Sequence, residues 1–190
     1  MSALELAQSL IRIKSISPND GGCFDIIEKE LGALGFEMDR IPELNSETLL
    51  AKFGSSGKVF CYLGHTDVVP SGPESKWTSH PFEANIVNGE LIGRGAADMK
   101  GSVAVFVESL KNFLSSHPKP NFQIWVMLTS NEEGEPKDGK IGTLIKSLTK
   151  QNQIIDYCLV GEASSSEHVG DVLRIGRRGS LSGNLKLLGK

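Results

Sequence analysis

The sequence predicts an α/β fold, a mostly parallel sheet with helices on both faces. Two features of the pattern point there. Strand-length apolar runs alternate with stretches of helical spacing along most of the 190 residues, and such alternation builds parallel sheets through crossover helices. In addition, three of the runs end in residues that bind metals or move protons. Residues 59–63 lead into Gly64-His65-Thr66-Asp67, residues 122–128 into Thr129-Ser130-Asn131-Glu132-Glu133, and residues 154–160 into Gly161-Glu162. In open α/β sheets, ligand sites collect at the carboxyl ends of neighbouring strands.

The elements follow in order. Residues 2–14 open on Ser2-Ala3-Leu4-Glu5, a capping-box pattern, and read as a helix that stops before Ser17-Pro18. A second helix is expected over 24–34, closed by Gly35. Strands are expected over 36–41, 48–53 and 59–63. Within 82–92, Val87-Asn88-Gly89-Glu90 has the signature of a two-residue hairpin turn. Helical spacing resumes over 100–115 and ends before Pro118, ahead of the buried-looking strand 122–128. A crossover helix over 141–148 precedes the strand 154–160. Beyond it, Gly176-Arg177-Arg178-Gly179 reads as a hinge, and residues 181–188 alternate like a new strand with nothing to pair with. That pattern suggests residues 1–175 as the main domain and 176–190 as the start of another; an edge strand completing the first domain is the alternative.

Composition narrows the function. With 39% hydrophobic residues the chain can bury a substantial core, and its net charge of −3 comes without a basic face. Neither nucleic acid nor a membrane surface is expected as a partner. No cationic, apolar leader opens the chain and no run approaches the roughly 20 apolar residues that span a bilayer, so a cytoplasmic protein is expected. Cys23, Cys61 and Cys158 form no C-x-x-C pair. We expect them reduced, with Cys61 and Cys158 buried in strands and without chemistry.

The acids pose a charge problem. Two carboxylates about 5 Å apart repel by roughly 3 kcal/mol at an effective dielectric of about 20, and Asp98, Glu132, Glu133 and Glu162 would make several such pairs. No Lys or Arg lies within the strand-end segments, although Arg94 and Lys100 flank Asp98. A divalent cation, or two, resolves this, and a His among carboxylates suits zinc. The competing reading makes each acid a solvated loop residue. His65 and Asp67, two apart on an extended backbone, share a side, so Asp67 can orient the imidazole from behind. Asp98, entering a helix with two oxygens, can bridge two metals. Glu132 and Glu133 diverge, so one can bind metal while the other serves as base; chemistry alone does not say which. His80, His117 and His168 are expected at the surface. Gly93-Arg94-Gly95 could be taken for a nucleotide loop, but it lacks the third glycine, and Asp98 would face a pyrophosphate with like charge.

Four segments carry a resemblance: Gly64-His65-Thr66-Asp67-Val68-Val69-Pro70, Gly93-Arg94-Gly95-Ala96-Ala97-Asp98-Met99-Lys100-Gly101, Thr129-Ser130-Asn131-Glu132-Glu133-Gly134 and Val160-Gly161-Glu162. Over nearly the whole chain they resemble the co-catalytic zinc deacylases and exopeptidases related to aminoacylase and carboxypeptidase G2. The resemblance implies two zinc ions, with cobalt or another divalent metal as a substitute. His65 and Glu162 would hold one, Glu133 the other, and Asp98 would bridge them, with a cis peptide between Asp98 and Met99. Asp67 would orient His65, and Glu132 would be the general base. Where the family usually has Pro after the ligand Glu, this chain has Ala163.

Trp77-Thr78-Ser79-His80-Pro81-Phe82, Asp138-Gly139 and Gly176-Arg177-Arg178-Gly179-Ser180-Leu181-Ser182-Gly183 look most like the branch that removes a succinyl group from a diamino diacid. Deacetylases and aminoacylases of the same family, or a non-catalytic metal-binding module, are the alternatives. A small-molecule substrate is implied, with Arg177, Arg178 and Ser180 as candidates to bind it; hinge charges in solvent are the other reading of the two arginines. The family also implies a dimerisation lid after this point, making the full-length protein a homodimer. The lid's oxyanion histidine and the last zinc histidine are expected beyond Lys190, so one metal site lacks a ligand here and this piece is expected to be essentially inactive.

Overall fold

The computed structural model describes residues 1–134, 141–176, 183 and 185–189. Helix α1 (Ala3–Ile11) starts on the expected capping box, with the Ser2 amide donating to Glu5 and the Glu5 amide to the Ser2 hydroxyl. It ends three residues earlier than the pattern suggested. The carbonyls of Leu10 and Ile13 both accept from the Lys100 ammonium at 2.8 Å, so a side chain 90 residues away closes the helix. Helix α2 (Cys23–Gly32) begins where the Asp20 carboxylate accepts the amides of Gly22 and Phe24. Its end is tightened by Gly35 at φ +87°, which turns the chain so that the Phe36 amide reaches the Leu31 carbonyl.

Strands β1 (Glu37–Pro42), β2 (Glu47–Phe53) and β3 (Val59–His65) come next, then a two-stranded ribbon, β4 (Asn85–Val87) and β5 (Glu90–Ile92). Asn88 and Gly89 both have positive φ at the ribbon's turn, as Asn-Gly hairpins require. A wide helical turn, Ala96–Lys100, feeds α3 (Gly101–Ser116), followed by β6 (Gln123–Thr129), α4 (Ile141–Lys150) and β7 (Tyr157–Val160). Gly93 serves packing, since a Cβ there would lie 2.4 Å from Ile11.

The main sheet runs β1-β2-β6-β3-β7. β3, β6 and β7 pair in parallel, whereas β2 pairs antiparallel with both β1 and β6. Four of the five strands therefore point one way. β2 is the exception because a turn at Glu43–Ser46, too short for a crossover, joins it to β1.

Helices cover both faces. α1, α2 and α3 pack on Leu49, Ala51, Tyr62, Ile124, Val126 and Leu128, while Leu144 and Leu148 of α4 pack on Leu50, Val59, Cys61, Trp125 and Met127. Each fully buried side chain of this kind contributes about 1.5–3 kcal/mol. Because α3 and α4 lie on opposite faces, the loops leaving the adjacent strands β3 and β6 part in opposite directions and open a crevice at their carboxyl ends.

β7 departs from expectation. It spans four residues rather than seven, and Tyr157, Cys158, Leu159 and Val160 are all exposed. Among the described residues it pairs only with β3, and the apolar stripe of α4 sits over β3 and β6, so the edge strand gets little cover. Cys61 is buried as anticipated; Cys158 is not. His80, His117 and His168 are exposed, as expected. No helix among the described residues is long and apolar enough to cross a membrane. Arg177, Arg178 and Ser180, the Asp138-Gly139 pair and residues 181, 182 and 184 of the proposed strand over 181–188 lie outside the described residues; residues 185–188 belong to no regular element.

Candidate metal centre

The crevice brings the strand-end residues together. The parallel ladder continues past β3 through the Thr66 amide to the Thr129 carbonyl, and past β7 through the Gly161 amide to the Leu63 carbonyl. Gly161 must be small, because a Cβ would lie 2.0 Å from the Tyr62 hydroxyl. Gly64 likewise admits Met99, whose methyl would stand 2.7 Å from a Cβ there. Met99 is fully buried, and the cis peptide before it presents Asp98 at the mouth of the crevice.

His65 is the buried centre of the group, 1% exposed. Its Nε2 lies 3.1 Å from Asp98 Oδ1 and 3.6 Å from Glu162 Oε1. Two sets of donor atoms lie within 4.8 Å of one another, His65 with Asp98 and Glu162, and His65 with Glu132 and Glu133. All of the acids singled out from the sequence thus meet around one imidazole.

Asp67 acts differently from the expectation that its carboxylate would face the imidazole. The nearest contact to His65 Nδ1 is the Asp67 backbone carbonyl at 2.9 Å, with the carboxylate at 3.5 Å. The carboxylate instead accepts the backbone amides of Glu132 at 3.0 Å and Glu133 at 3.1 Å, and the Ser17 hydroxyl. One buried residue therefore positions both the His and the Glu pair. Ser17 comes from the α1–α2 loop, which is stitched to the site by Ser15 to the Thr66 carbonyl, Thr66 to Asp20, and Ser130 to the Pro18 carbonyl. Sequence reading missed this network because its partners are 46 to 112 residues apart.

The electrostatics favour a positive charge among these carboxylates. Burial would lower the His65 pKa, but the Asp67 carboxylate and carbonyl, Glu162 and Asp98 together raise it. Glu133 is raised by burial, Asp98, Glu132 and Asp67, against the lowering influence of His65. Neither flanking cation relieves this. Lys100 turns into the core to cap α1, and the Arg94 guanidinium stacks over Trp77 at 5.2 Å. Among the described residues no Lys or Arg forms an ion pair with Asp98, Glu132 or Glu133. One imidazole nitrogen and several carboxylate oxygens, crowded and half-buried, are a donor set that suits a divalent cation.

A family model described as Peptidase family M20/M25/M40 matches residues 61–176, more than half of the chain and all six of these residues. The chain belongs to this family. Similar M20 proteins include succinyl-diaminopimelate desuccinylases of Halorhodospira halophila, 48% identical over all of this chain and 50% of the relative, and of Alkalilimnicola ehrlichii, 46% identical over 98% and 49%. The chain spans about half the length of these curated relatives. Among solved structures, an M20 family metallo-carboxypeptidase from Sulfolobus solfataricus superposes with a TM-score of 0.73 at 21% identity, covering 86% of this chain and 38% of that one. Human carnosine dipeptidase 1 gives 0.71 at 21% identity, covering 83% and 37%. These two likenesses establish the M20 fold.

The Asp67 geometry leads to a measurable outcome. Asp67→Ala should weaken divalent-metal binding, followed with added zinc by titration calorimetry, by about 10- to 100-fold, the usual cost of losing a group that orients a ligand. It should also lower stability in urea by about 1–3 kcal/mol for each donor left buried without a partner. Unchanged zinc affinity would restrict Asp67 to holding the fold.

Proposed function

We propose that this chain supplies most of a two-zinc amide hydrolase site whose full-length protein cleaves N-succinyl-LL-2,6-diaminopimelate into succinate and LL-2,6-diaminopimelate, on the route to diaminopimelate and lysine. The observation that carries the reading is the meeting of His65, Asp98 and Glu162 with Glu132 and Glu133 around one imidazole, in a chain 46–48% identical to proteins named for that reaction.

In this reading His65 and Glu162 would hold one zinc ion and Glu133 the other, with Asp98 contributing to their binding. Cobalt or another divalent ion would suit the same donors. Bound zinc supplies Lewis acidity, polarising an amide carbonyl and acidifying water. The remaining work belongs to side chains. Glu132, exposed at the mouth, takes a proton from the attacking water and delivers it to the departing amine nitrogen. Asp67 keeps Glu132 and Glu133 in register with His65. Arg177, Arg178 and Ser180 are assigned to the substrate carboxylates, where paired guanidinium hydrogen bonds give orientation. The same reading makes the full-length protein a cytoplasmic homodimer acting on a small molecule.

The test compares substrates. A purified full-length protein carrying this chain, loaded with zinc, should hydrolyse N-succinyl-LL-2,6-diaminopimelate far faster than N-acetylornithine. Preference for the acetyl compound would overturn the succinyl assignment while keeping the hydrolase; stoichiometric zinc with no turnover of either would reduce the site to metal binding.

A further inference from the structure

Cys61 and Cys158 stand directly opposite each other in the parallel ladder of β3 and β7. Opposed residues on neighbouring strands project to the same face with Cα atoms about 4.8 Å apart, inside the roughly 4.4–6.8 Å range that a disulfide spans. Their surroundings differ. Cys61, 1% exposed, packs among Leu50, Val59, Trp125 and Met127 beneath α4, whereas Cys158 is open to solvent on the edge strand.

Their proximity polarises the pair. Cys158 beside it and burial both push the Cys61 thiol up, so it stays protonated. Cys61 in turn draws Cys158 down to about 7, against the opposing effect of its partial burial. Cys23, the remaining cysteine, is buried on the opposite face of the sheet and pushed up to about 11 by desolvation. An exposed thiolate beside a second, protonated thiol is the arrangement of redox-responsive cysteine pairs.

We propose that Cys158 and Cys61 form an oxidisable dithiol, in which Cys158 reacts with a hydroperoxide and Cys61 resolves the product as an intrachain disulfide. With hydrogen peroxide the Cys158 thiolate attacks one oxygen, the O–O bond breaks, and Cys158 sulfenic acid and hydroxide result. The Cys61 sulfur then attacks the sulfenic sulfur; the S–S bond forms, the S–O bond breaks, and the departing oxygen leaves as water with the Cys61 proton. Overall, two thiols and one peroxide give one disulfide and two waters. The bond would join β3 and β7 four residues before His65 and four before Glu162, so oxidation state would reach the strands that deliver two residues of the crevice. The inference holds whatever the substrate of the site.

The experiment exposes the 190-residue protein to equimolar hydrogen peroxide at pH 7, alkylates free thiols with iodoacetamide and maps the peptides by mass spectrometry. The expected result is a Cys61–Cys158 cross-linked peptide, reversed by dithiothreitol, with Cys23 alkylated. Cys61→Ser should leave Cys158 as a sulfenic acid that dimedone traps, and Cys158→Ser should abolish the cross-link. Mapping of the unmutated protein decides the matter even where a variant folds poorly. Oxidation of Cys23 at the rate of Cys158, a product linked only between two molecules through Cys158, or three thiols left free would each overturn the proposal.

Discussion

Glu132→Gln in a full-length protein carrying this chain is expected to lower kcat by about 10²- to 10⁴-fold, the range that a positioned general base contributes, with zinc content unchanged. The amide keeps the shape of the side chain and leaves the backbone amide on the Asp67 carboxylate, so it removes little except the capacity to accept a proton. Glu133→Gln should behave oppositely, with zinc lost first and activity falling in proportion. The contrast matters because Glu132 and Glu133 both lie in one donor group with His65, and position alone allows either to be the ligand. Loss of zinc from Glu132→Gln, read by metal analysis, would exchange the two roles. Full activity with full zinc would remove Glu132 from the chemistry.

The second large effect is on stability. Lys100→Ala should cost about 3–5 kcal/mol in urea unfolding, combining the removal of a long buried side chain with the loss of its hydrogen bonds to two main-chain carbonyls. Lys100 is fully buried, and its ammonium supplies hydrogen bonds to Leu10 and Ile13 at the end of α1. Burial lowers its pKa, an effect moderated by the nearby Cys23, Asp20 and Asp67. Lys100→Met keeps the aliphatic stem and discards the desolvated charge, so it should lose only about 1–3 kcal/mol. Equal losses in the two variants would mean that the ammonium's hydrogen bonds, and not the packing of the stem, account for the residue. Because α1, α3 and the turn bearing Asp98 share this contact, the alanine variant should also loosen the crevice wall.

Much of this was legible in the sequence because the relevant signals are local. Apolar runs marked the strands, Asn88-Gly89 marked the ribbon, and the residues just after each run marked the metal crevice. What stayed hidden depends on partners distant along the chain. No local pattern places β2 between β1 and β6, since strand order follows from pairing. The early end of α1 is set by Lys100, which the sequence showed only as a cation flanking Asp98. The spacing of His65 and Asp67 correctly joined the two residues but mistook which Asp67 atoms do the joining. Exposure of Cys158 was missed because an apolar run does not reveal whether its strand is central or at an edge.

Asp67 touches one end of the crevice with its main chain and the other with its side chain. His65 belongs to β3 and the Glu pair follows β6, yet a single residue spans the two through bonds of 2.9 to 3.1 Å. Displacement of one loop should therefore be passed to the other as a correlated motion, so that the separation between imidazole and carboxylates varies less than the position of either loop. The crevice is expected to keep its internal dimensions by moving as a unit.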